Sequence, residues 1–195
     1  MGIINLLVEG EIDEFVARKL VNVVGHQVGS CYGKKGSGYI KNKIRDFNKS
    51  ANNVFYLVLI DFMDTGCKCP PEVISNWLPF KNDLMLFRVV VREIESWIMA
   101  DRNNLAKFLQ VNVEKIPQFP DNENDPKQKL INIARTSRSS NIISAIVPEQ
   151  GSTAQVGKLY NSEISRFIYT FWDIYAAREN SPSLDKCLKN LEVIQ

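Results

Sequence analysis

Three apolar runs, each followed by a helical pattern, constrain the fold of this chain more than any other feature of its sequence. They cover residues 3–8, 54–60 and 84–91 and are rich in β-branched and aromatic side chains. Continuous apolar runs of this length are typical of strands that are buried on both faces of a parallel sheet. Strands that alternate with helices therefore predict an α/β fold built on a three-layer parallel sheet.

The segments between these strands are predicted as helices and one loop. Residues 11–28 have apolar side chains at helical spacing, and residues 39–51 and 70–79 are predicted as shorter helices. The glycine-rich stretch GSCYGKKGSG, at residues 29–38, is predicted as a flexible loop because glycine favours no regular element.

Strand signals fade after Asp101, and the second half of the chain is predicted as helical. The predicted helices cover residues 103–109, 126–134, 139–146, 161–175 and 183–191. Because no linker or repeat separates the two halves, we expect a single domain overall. It would consist of an α/β core over residues 1–101 and a helical extension over residues 102–195 that packs on the same sheet.

The charge balance excludes a globally basic nucleic-acid-binding protein. The 195 residues include 24 basic and 22 acidic side chains, which gives a net charge of +2. A local basic patch remains compatible with this balance. The chain has no apolar run long enough to cross a bilayer, and its first residues lack the basic start of a signal peptide. We therefore expect a cytoplasmic protein without a membrane partner.

The cysteine and histidine content argues against a zinc site and against catalysis by histidine. The four cysteines are expected to be free thiols, and Cys67 and Cys69 have the wrong spacing for a zinc knuckle. The chain has one histidine, His26, which lies among apolar neighbours on a predicted helix. We therefore expect His26 to have a structural role.

Acidic residues follow all three predicted strands. Glu9 follows the first strand, Asp61 and Asp64 the second, and Glu93 and Glu95 the third. Because the carboxyl ends of parallel strands lie along one edge of the sheet, we expect these carboxylates to lie together there. Such a cluster repels itself unless it binds a cation, and oxygen ligands without histidine favour magnesium or manganese.

Residues near Glu9 extend this predicted site. Asp13 lies one helical turn further on and is a candidate ligand of the same ion, whereas Glu11 and Glu14 are interpreted as solvated partners of the helix dipole. Gly10 is expected to let the backbone turn sharply after Glu9 and approach a ligand closely.

The third strand leaves one alternative open. Strand alternation would place Glu93 and Glu95 on one face, whereas a helix that begins at Glu93 would separate them. The predicted metal ligands are Glu9, Asp13, Asp61, Asp64, Glu93 and Glu95.

These motifs resemble the TOPRIM fold, the metal-binding domain of topoisomerases, primases, recombination-repair proteins and overcoming-lysogenization-defect nucleases. That fold has a strand ending in Glu-Gly, a helix, and a strand ending in Asp-x-Asp. Here VEGEID at residues 8–13 is similar to the first part, and LIDFMD at residues 59–64 is similar to the second. The resemblance implies a TOPRIM or Rossmann-like sheet with a C-terminal helical extension.

More narrowly, the chain resembles a bacterial family of small TOPRIM-like proteins of unknown function, often encoded beside an AAA-type or ABC-type ATPase. The similar stretches cover nearly the whole chain: LLVEGEIDE, GSGYIKNKIRDFNKSA, VREIESWIMADR, DPKQKLINIARTSR, VGKLYNSEISRFI and ENSPSLDKCLKNLE. One position departs from the TOPRIM pattern, since Met63 stands where the second acid of Asp-x-Asp is expected. A thioether does not bind a hard cation, and Asp64 follows one residue late.

The resemblance implies a magnesium-dependent or manganese-dependent nuclease, a hydrolase of DNA or RNA that acts as the effector of an ATPase-coupled antiviral defence against phage. Its catalytic residues would be Glu9, Asp61 and Glu95. One ion, held by Glu9 and Asp61 with Asp64 as a further candidate, would bind a phosphate oxygen and activate water. A second ion near Asp13 and Glu95 would stabilise the leaving oxygen.

Basic residues follow the first predicted helix and form a candidate nucleic-acid-binding surface. They are Lys34, Lys35, Lys41, Lys43 and Arg45. An ordinary solvated face is an equal alternative for this stretch. Arg92 is a separate candidate for contact with the scissile phosphate, and its alternative is an ion pair with a neighbouring acid.

Large apolar residues of the second half also have two interpretations. Phe167, Ile168, Phe171, Trp172 and Tyr175 keep helical spacing and are expected to pack inward. The alternative is a docking surface for a partner ATPase or a second copy, which leaves a homo-oligomer open. Trp97 is expected to be a core anchor rather than a platform for base stacking.

A second function hypothesis comes from another class of protein. Met63 favours a catalytically weak regulatory subunit that binds a divalent ion or nucleotide and acts through a partner ATPase. A small-molecule phosphotransferase is disfavoured because GSCYGKKGSG lacks the Gly-Lys-Ser/Thr ending of a P-loop. Nucleotidyl transfer of the primase kind stays open, because it uses the same metal chemistry.

Overall fold

The computed structural model describes residues 2–194, apart from the side chain of Asp64. Within these residues, four strands form one sheet in the order β2-β1-β3-β4. The strands are β1 (Ile3–Val8), β2 (Gln27–Gly33), β3 (Phe55–Asp61) and β4 (Met85–Val90). All neighbouring strands pair in parallel, which confirms the predicted parallel α/β sheet.

Helices fill the intervals between the strands and most of the second half. They are α1 (Glu11–Val23), α2 (Gly36–Ser50), α3 (Pro70–Trp77), α4 (Ile94–Ala100), α5 (Arg102–Leu109), α6 (Pro126–Ala134), α7 (Ser140–Ile146), α8 (Tyr160–Thr170), α9 (Ile174–Arg178) and α10 (Pro182–Glu192). A 3₁₀ turn, Met63–Thr65, follows β3. None of the described helices combines the length and the apolar character needed to cross a bilayer.

Contacts between residues divide the chain into two compact units. The first unit contains Met1–Val91 together with Ser183–Gln195, and it holds the sheet. The second unit contains Arg92–Pro182 and is helical. The division into a core over residues 1–101 and an extension over residues 102–195 stays a prediction about domains.

The sheet of the first unit is covered on both faces, because side chains alternate along each strand. On one face, Leu7, Val58 and Phe87 lie in register across three strands and belong to one core cluster with α2 and α3. On the opposite face, Leu6 and Leu57 are fully buried, and α1 contacts β1, β2 and β3. The predicted three layers of helix, sheet and helix are therefore present.

The prediction for residues 11–38 was wrong in two respects. Helix α1 ends at Val23 rather than near Val28, and residues 27–33 form β2 rather than a flexible loop. β2 lies at an edge of the sheet and every residue in it is at least partly exposed, so it lacks an apolar run. Gly33 adopts a φ of +97°, and an added Cβ would collide with the Val8 carbonyl oxygen. Glycine here permits close strand pairing.

The second unit contains a helix break that the sequence did not predict. The single helix expected over residues 161–175 is divided, because α8 ends at Thr170 and α9 begins at Ile174. The Asp173 side chain caps α9 by accepting hydrogen bonds from the N–H groups of Tyr175 and Ala176. This cap starts a new helix.

The break changes which of the large apolar side chains are buried. Inward packing is confirmed for Phe167, Ile168 and Trp172, which are buried. It was wrong for Phe171 and Tyr175, which are 45% and 49% exposed, because the helical spacing does not continue through the break. Elsewhere in this unit Trp97 is fully buried, as expected of a core anchor.

Candidate functional site

The carboxyl ends of β1 and β3 bring Glu9 and Asp61 together in the first unit. The two strands are neighbours, and Val8 lies in register with Leu59. Glu9 follows β1, Asp61 ends β3, and the backbone N–H of Asp61 donates a hydrogen bond of 3.0 Å to Glu9 Oε1. Both carboxylates are therefore presented at the edge of the sheet where parallel α/β folds bind their ligands.

Asp13 and Gly10 lie beside this edge, at the start of α1. Asp13 is 5% exposed, and its Oδ2 lies 3.1 Å from the position that a Cβ on residue 10 would take. The chain bends at Glu9 and Gly10, as expected, although the backbone at Gly10 itself is extended, with φ of −140°. What glycine provides at this position is room for the Asp13 carboxylate.

Glu14 is buried, although the sequence predicted a solvated partner of the helix dipole. Its carboxylate forms ion pairs with Arg18 at 2.7 Å and Lys34 at 2.9 Å. Burial raises the pKa of Glu14, but the hydrogen bonds from Lys34 and Arg18 outweigh burial and lower the pKa overall. Lys34, a predicted nucleic-acid ligand, therefore also holds a buried acid of α1.

The other predicted nucleic-acid-binding residues of the first unit lie on or beside α2 and are exposed. Lys43 forms an ion pair on the helix surface at 3.4 Å, and Arg45 Nε donates to the carbonyl oxygen of Trp77 over 3.3 Å. Lys35 and Lys41 lie over aromatic rings, with Nζ 5.4 Å and 5.7 Å from the ring centroids. These contacts leave positive charge at the surface, so a nucleic-acid role stays a prediction.

Glu93 and Glu95 meet at one lysine in the second unit. The backbone N–H of Lys127 donates to Glu93 Oε2 over 2.9 Å, and its ammonium lies 4.0 Å from Glu93 Oε1 and 3.5 Å from Glu95 Oε1. The Tyr160 hydroxyl donates to Glu95 Oε1 over 2.9 Å. Helix α4 begins at Ile94, directly after Glu93, yet the two carboxylates do not diverge.

Burial distinguishes Glu95 from the other candidate ligands. It is 1% exposed, and its Oε2 accepts no hydrogen bond from any described residue. Burial raises the pKa of Glu93, the Lys127 N–H lowers it and the charge of Glu95 raises it, with a net rise. Arg92 lies next to this cluster in sequence and is half-buried, and its contact with a phosphate stays a prediction.

The residues after β3 bear on how completely an ion would be surrounded. Met63 is 44% exposed in the 3₁₀ turn, and the side chain of Asp64 lies outside the described part of the structure. Among the described side chains, no three Asp, Glu, His or Cys residues form a group that could hold a metal ion. The described side chains alone do not complete the coordination shell of an ion at Glu9 and Asp61, so water, substrate oxygens or Asp64 would have to contribute.

His26 has the structural role that the sequence predicted, although it follows α1 rather than lying on a helix, and the cysteines are free as expected. His26 is 7% exposed just after α1, where Nδ1 accepts a hydrogen bond from Gly2 N–H over 3.0 Å. Nε2 then carries the proton and donates to the Leu191 carbonyl oxygen over 3.2 Å, which gives His26 a structural role. The four cysteines are free thiols, and burial, with Glu14 nearby, raises the pKa of Cys31 to about 11.

Sequence reasoning missed the partners of these acids. Lys127 lies 34 residues from Glu93, and Tyr160 lies 65 residues from Glu95. No motif or helical spacing links residues that far apart. The burial of Glu14 was also missed, because an acid in the first turn of a helix is ordinarily solvated.

No protein-family model, curated protein or solved structure matches the chain significantly. The resemblance to TOPRIM proteins and to the small bacterial family therefore stays a prediction from the sequence.

Proposed function

We propose that this protein is a metal-dependent nuclease that hydrolyses phosphodiester bonds of DNA or RNA. The observation that carries the proposal is the meeting of Glu9 and Asp61 at the ends of β1 and β3, with Asp61 N–H bonded to Glu9 Oε1 over 3.0 Å. Open parallel sheets bind their ligands at this edge. Two carboxylates there provide the hard oxygen ligands that Mg²⁺ and Mn²⁺ prefer.

Glu9 and Asp61 would hold the ion, with Asp13 and Asp64 as further candidate ligands. A bound divalent ion would polarise the phosphate and lower the pKa of a water ligand. The backbone N–H of Asp61 orients the Glu9 carboxylate. Asp13, buried at the start of α1, would present its carboxylate beside Gly10.

Glu93 and Glu95 have a weaker claim in this proposal. Within the second unit, the Lys127 ammonium already lies near both carboxylates and balances part of their charge. Their roles as ligands, and the catalytic role of Glu95, stay predictions on which the proposal does not depend.

The proposed partners are nucleic acid and an ATPase. The exposed basic residues of α2 support contact with a phosphate backbone, since Lys and Arg supply the sequence-independent part of nucleic-acid affinity. Action beside an AAA-type or ABC-type ATPase in antiviral defence is proposed from the sequence resemblance alone.

A catalytically weak regulatory subunit is the second candidate function. It is favoured by Met63, which stands exposed in the turn where the TOPRIM pattern has its second acid. The absence of a three-residue ligand group among the described side chains agrees with it. Such a subunit would bind an ion or nucleotide and act through the partner ATPase.

Cleavage by variant proteins tests the proposal. Plasmid, single-stranded DNA and tRNA are incubated with the purified protein in Mg²⁺ or Mn²⁺, and we expect Asp61→Asn to cleave more than about 100-fold more slowly. Glu149→Gln is the matched control, because Glu149 is an exposed acid paired with Lys158. Undiminished cleavage by Asp61→Asn would refute the assignment, and a wild type that binds metal but cleaves nothing would favour the regulatory subunit.

A further inference from the structure

Arg88 is a half-buried arginine that the proposed nuclease site does not use. It lies on β4, in register with the fully buried Leu59 of β3. Its Nε is buried and has no hydrogen-bond acceptor among the described residues. A guanidinium in apolar surroundings loses hydration, and that loss is unfavourable unless hydrogen bonds or a counter-charge replace it.

Among the described groups, no carboxylate pairs with Arg88. Burial lowers the pKa of Arg88, and among the described groups only Cys187 opposes this shift. Burial also raises the pKa of Cys187 to about 12, so the residue is a neutral thiol at neutral pH. By contrast, Arg18 and Arg166 each form an ion pair with a glutamate on their own helix.

A cleft opens onto Arg88 between β4, α3 and α10 of the first unit. It has a volume of about 310 Å³, and its lining includes Pro70, Ile74, Phe87, Arg88, Ser183 and Lys186. Two of these side chains are cationic and none is acidic. The volume falls at the lower end of the range for small-molecule sites, and the mixture of apolar walls with a few polar groups is typical of them.

A second cleft of about 550 Å³ shares Ile74, Phe87 and Arg88 with the first. Its lining adds apolar residues together with Lys81 and Asp83. With Arg88 included, the second cleft therefore has two positively charged side chains and one negatively charged side chain. Arg88 therefore lies where two clefts meet, and a ligand bound to it could extend its apolar part into either one.

We propose that the cleft at Arg88 binds a small organic anion whose carboxylate or phosphate group pairs with the Arg88 guanidinium. The planar guanidinium matches the two oxygens of such a group and can hold them through parallel hydrogen bonds. Lys186 contributes a second positive charge, and the apolar part of the ligand packs against Ile74 and Phe87. This site is separate from the proposed metal ligands and does not depend on nuclease activity.

Anion binding is tested without divalent ions, so that its outcome is independent of the metal site. Sodium phosphate and sodium succinate are titrated into the protein at an ionic strength held constant with sodium chloride, and binding is followed by calorimetry and thermal unfolding. We expect saturable binding of at least one of the two anions. Binding of phosphate alone would identify a phosphate site, and binding of succinate alone would identify a carboxylate site. Binding of both anions would show that the site recognises the paired oxygens that the two groups share.

Variants at residue 88 distinguish a specific anion-binding site from non-specific attraction of anions to positive charge. Arg88→Met should weaken the affinity by about tenfold or more. Arg88→Lys should weaken it less, because lysine keeps the positive charge but lacks the planar set of N–H donors of the guanidinium. Lys189→Met is the matched control: Lys189 is an exposed lysine of α10 paired with Asp185, outside both clefts, and its loss should leave affinity unchanged.

A stability measurement keeps the proposal testable if the affinities are low. In sodium chloride alone, Arg88→Met should unfold at the same or a higher temperature than the wild type, because an apolar side chain replaces an unpaired guanidinium. In saturating phosphate or succinate this order should reverse. Absence of saturable binding to the wild type, or equal affinities of the wild type and Arg88→Met, would overturn the proposal.

Discussion

Glu9 in the first unit and Glu95 in the second accept hydrogen bonds from different donors, and this difference indicates which of the two can serve a metal. In the first unit, Glu9 accepts a hydrogen bond from the backbone N–H of Asp61. In the second, Glu95 accepts one from the Tyr160 hydroxyl and lies 3.5 Å from the Lys127 ammonium. The Lys127 ammonium offsets part of the charge of Glu95, and the Asp61 N–H fixes the direction of the Glu9 carboxylate. We therefore expect metal binding to depend on the first pair of residues and stability on the second cluster.

Glu95→Ala has the largest expected effect on stability. It removes an acceptor from the Tyr160 hydroxyl and a counter-charge from Lys127 at a position that is 1% exposed. Because Lys127 is partly exposed and can turn to water, we expect a loss of about 3 kcal/mol in the free energy of unfolding. Urea unfolding at pH 7 measures this loss.

Tyr160→Phe is the matched control for that measurement. It keeps the ring and removes one hydrogen bond, so the expected loss is about 1 kcal/mol. If Glu95→Ala were as stable as Tyr160→Phe or more so, the second cluster would not be the stabilising element that the comparison requires.

In the first unit, Lys34→Ala should have a smaller effect on the stability of the protein. It removes the Lys34 ammonium from the Glu14 carboxylate, which would raise the Glu14 pKa toward its ordinary value and lower the midpoint of urea unfolding. Lys35→Ala is the control, since Lys35 lies over the Tyr39 ring and holds no buried acid. Equal midpoints for the two variants would show that the ion pair contributes nothing to stability.

The pH dependence of stability should differ in sign between two glutamates of the second unit. Burial and Glu95 raise the Glu93 pKa above 4.5, so the native state holds the proton longer and stability falls as pH rises through the interval above 4.5. Lys158 lowers the Glu149 pKa below 4.5. The contribution of Glu149 to stability is therefore lost as the pH drops through the interval below 4.5.

Single substitutions should remove each of these slopes separately. Glu93→Gln should flatten the fall in stability above pH 4.5, and Glu149→Gln should flatten the smaller fall below it. Urea midpoints measured between about pH 3 and pH 7 would show this, since both unperturbed pKa values lie in that range. A slope of the same sign for both glutamates would contradict the assigned causes.

The sequence predicted three of the four strands to within one residue at each end, because β1, β3 and β4 are buried and read as continuous apolar runs. It failed at β2, an edge strand that contains glycine and has no fully buried residue. The segment becomes a strand because it pairs with β1, through contacts such as that between Gly33 and Val8. Pairing with a distant segment produces no pattern in the local sequence from which the strand could be predicted.

The same distinction applies to the candidate site. The meeting of Glu9 and Asp61 could be predicted, because it follows from strand order and from the position of each acid at a strand end. The cluster of Glu95 with Lys127 and Tyr160 could not, because its members come from three helices whose packing no local pattern encodes.

The central claim is that Glu9 and Asp61 bind a divalent ion, and calorimetric titration with MnCl₂ tests it most directly. We predict saturable binding by the wild type, with affinity at least about tenfold lower in both Glu9→Gln and Asp61→Asn. Glu95→Gln is the comparison variant from the second unit and should bind as the wild type does. Absence of binding by the wild type, or equal affinities in the wild type and both first-unit variants, would contradict the account.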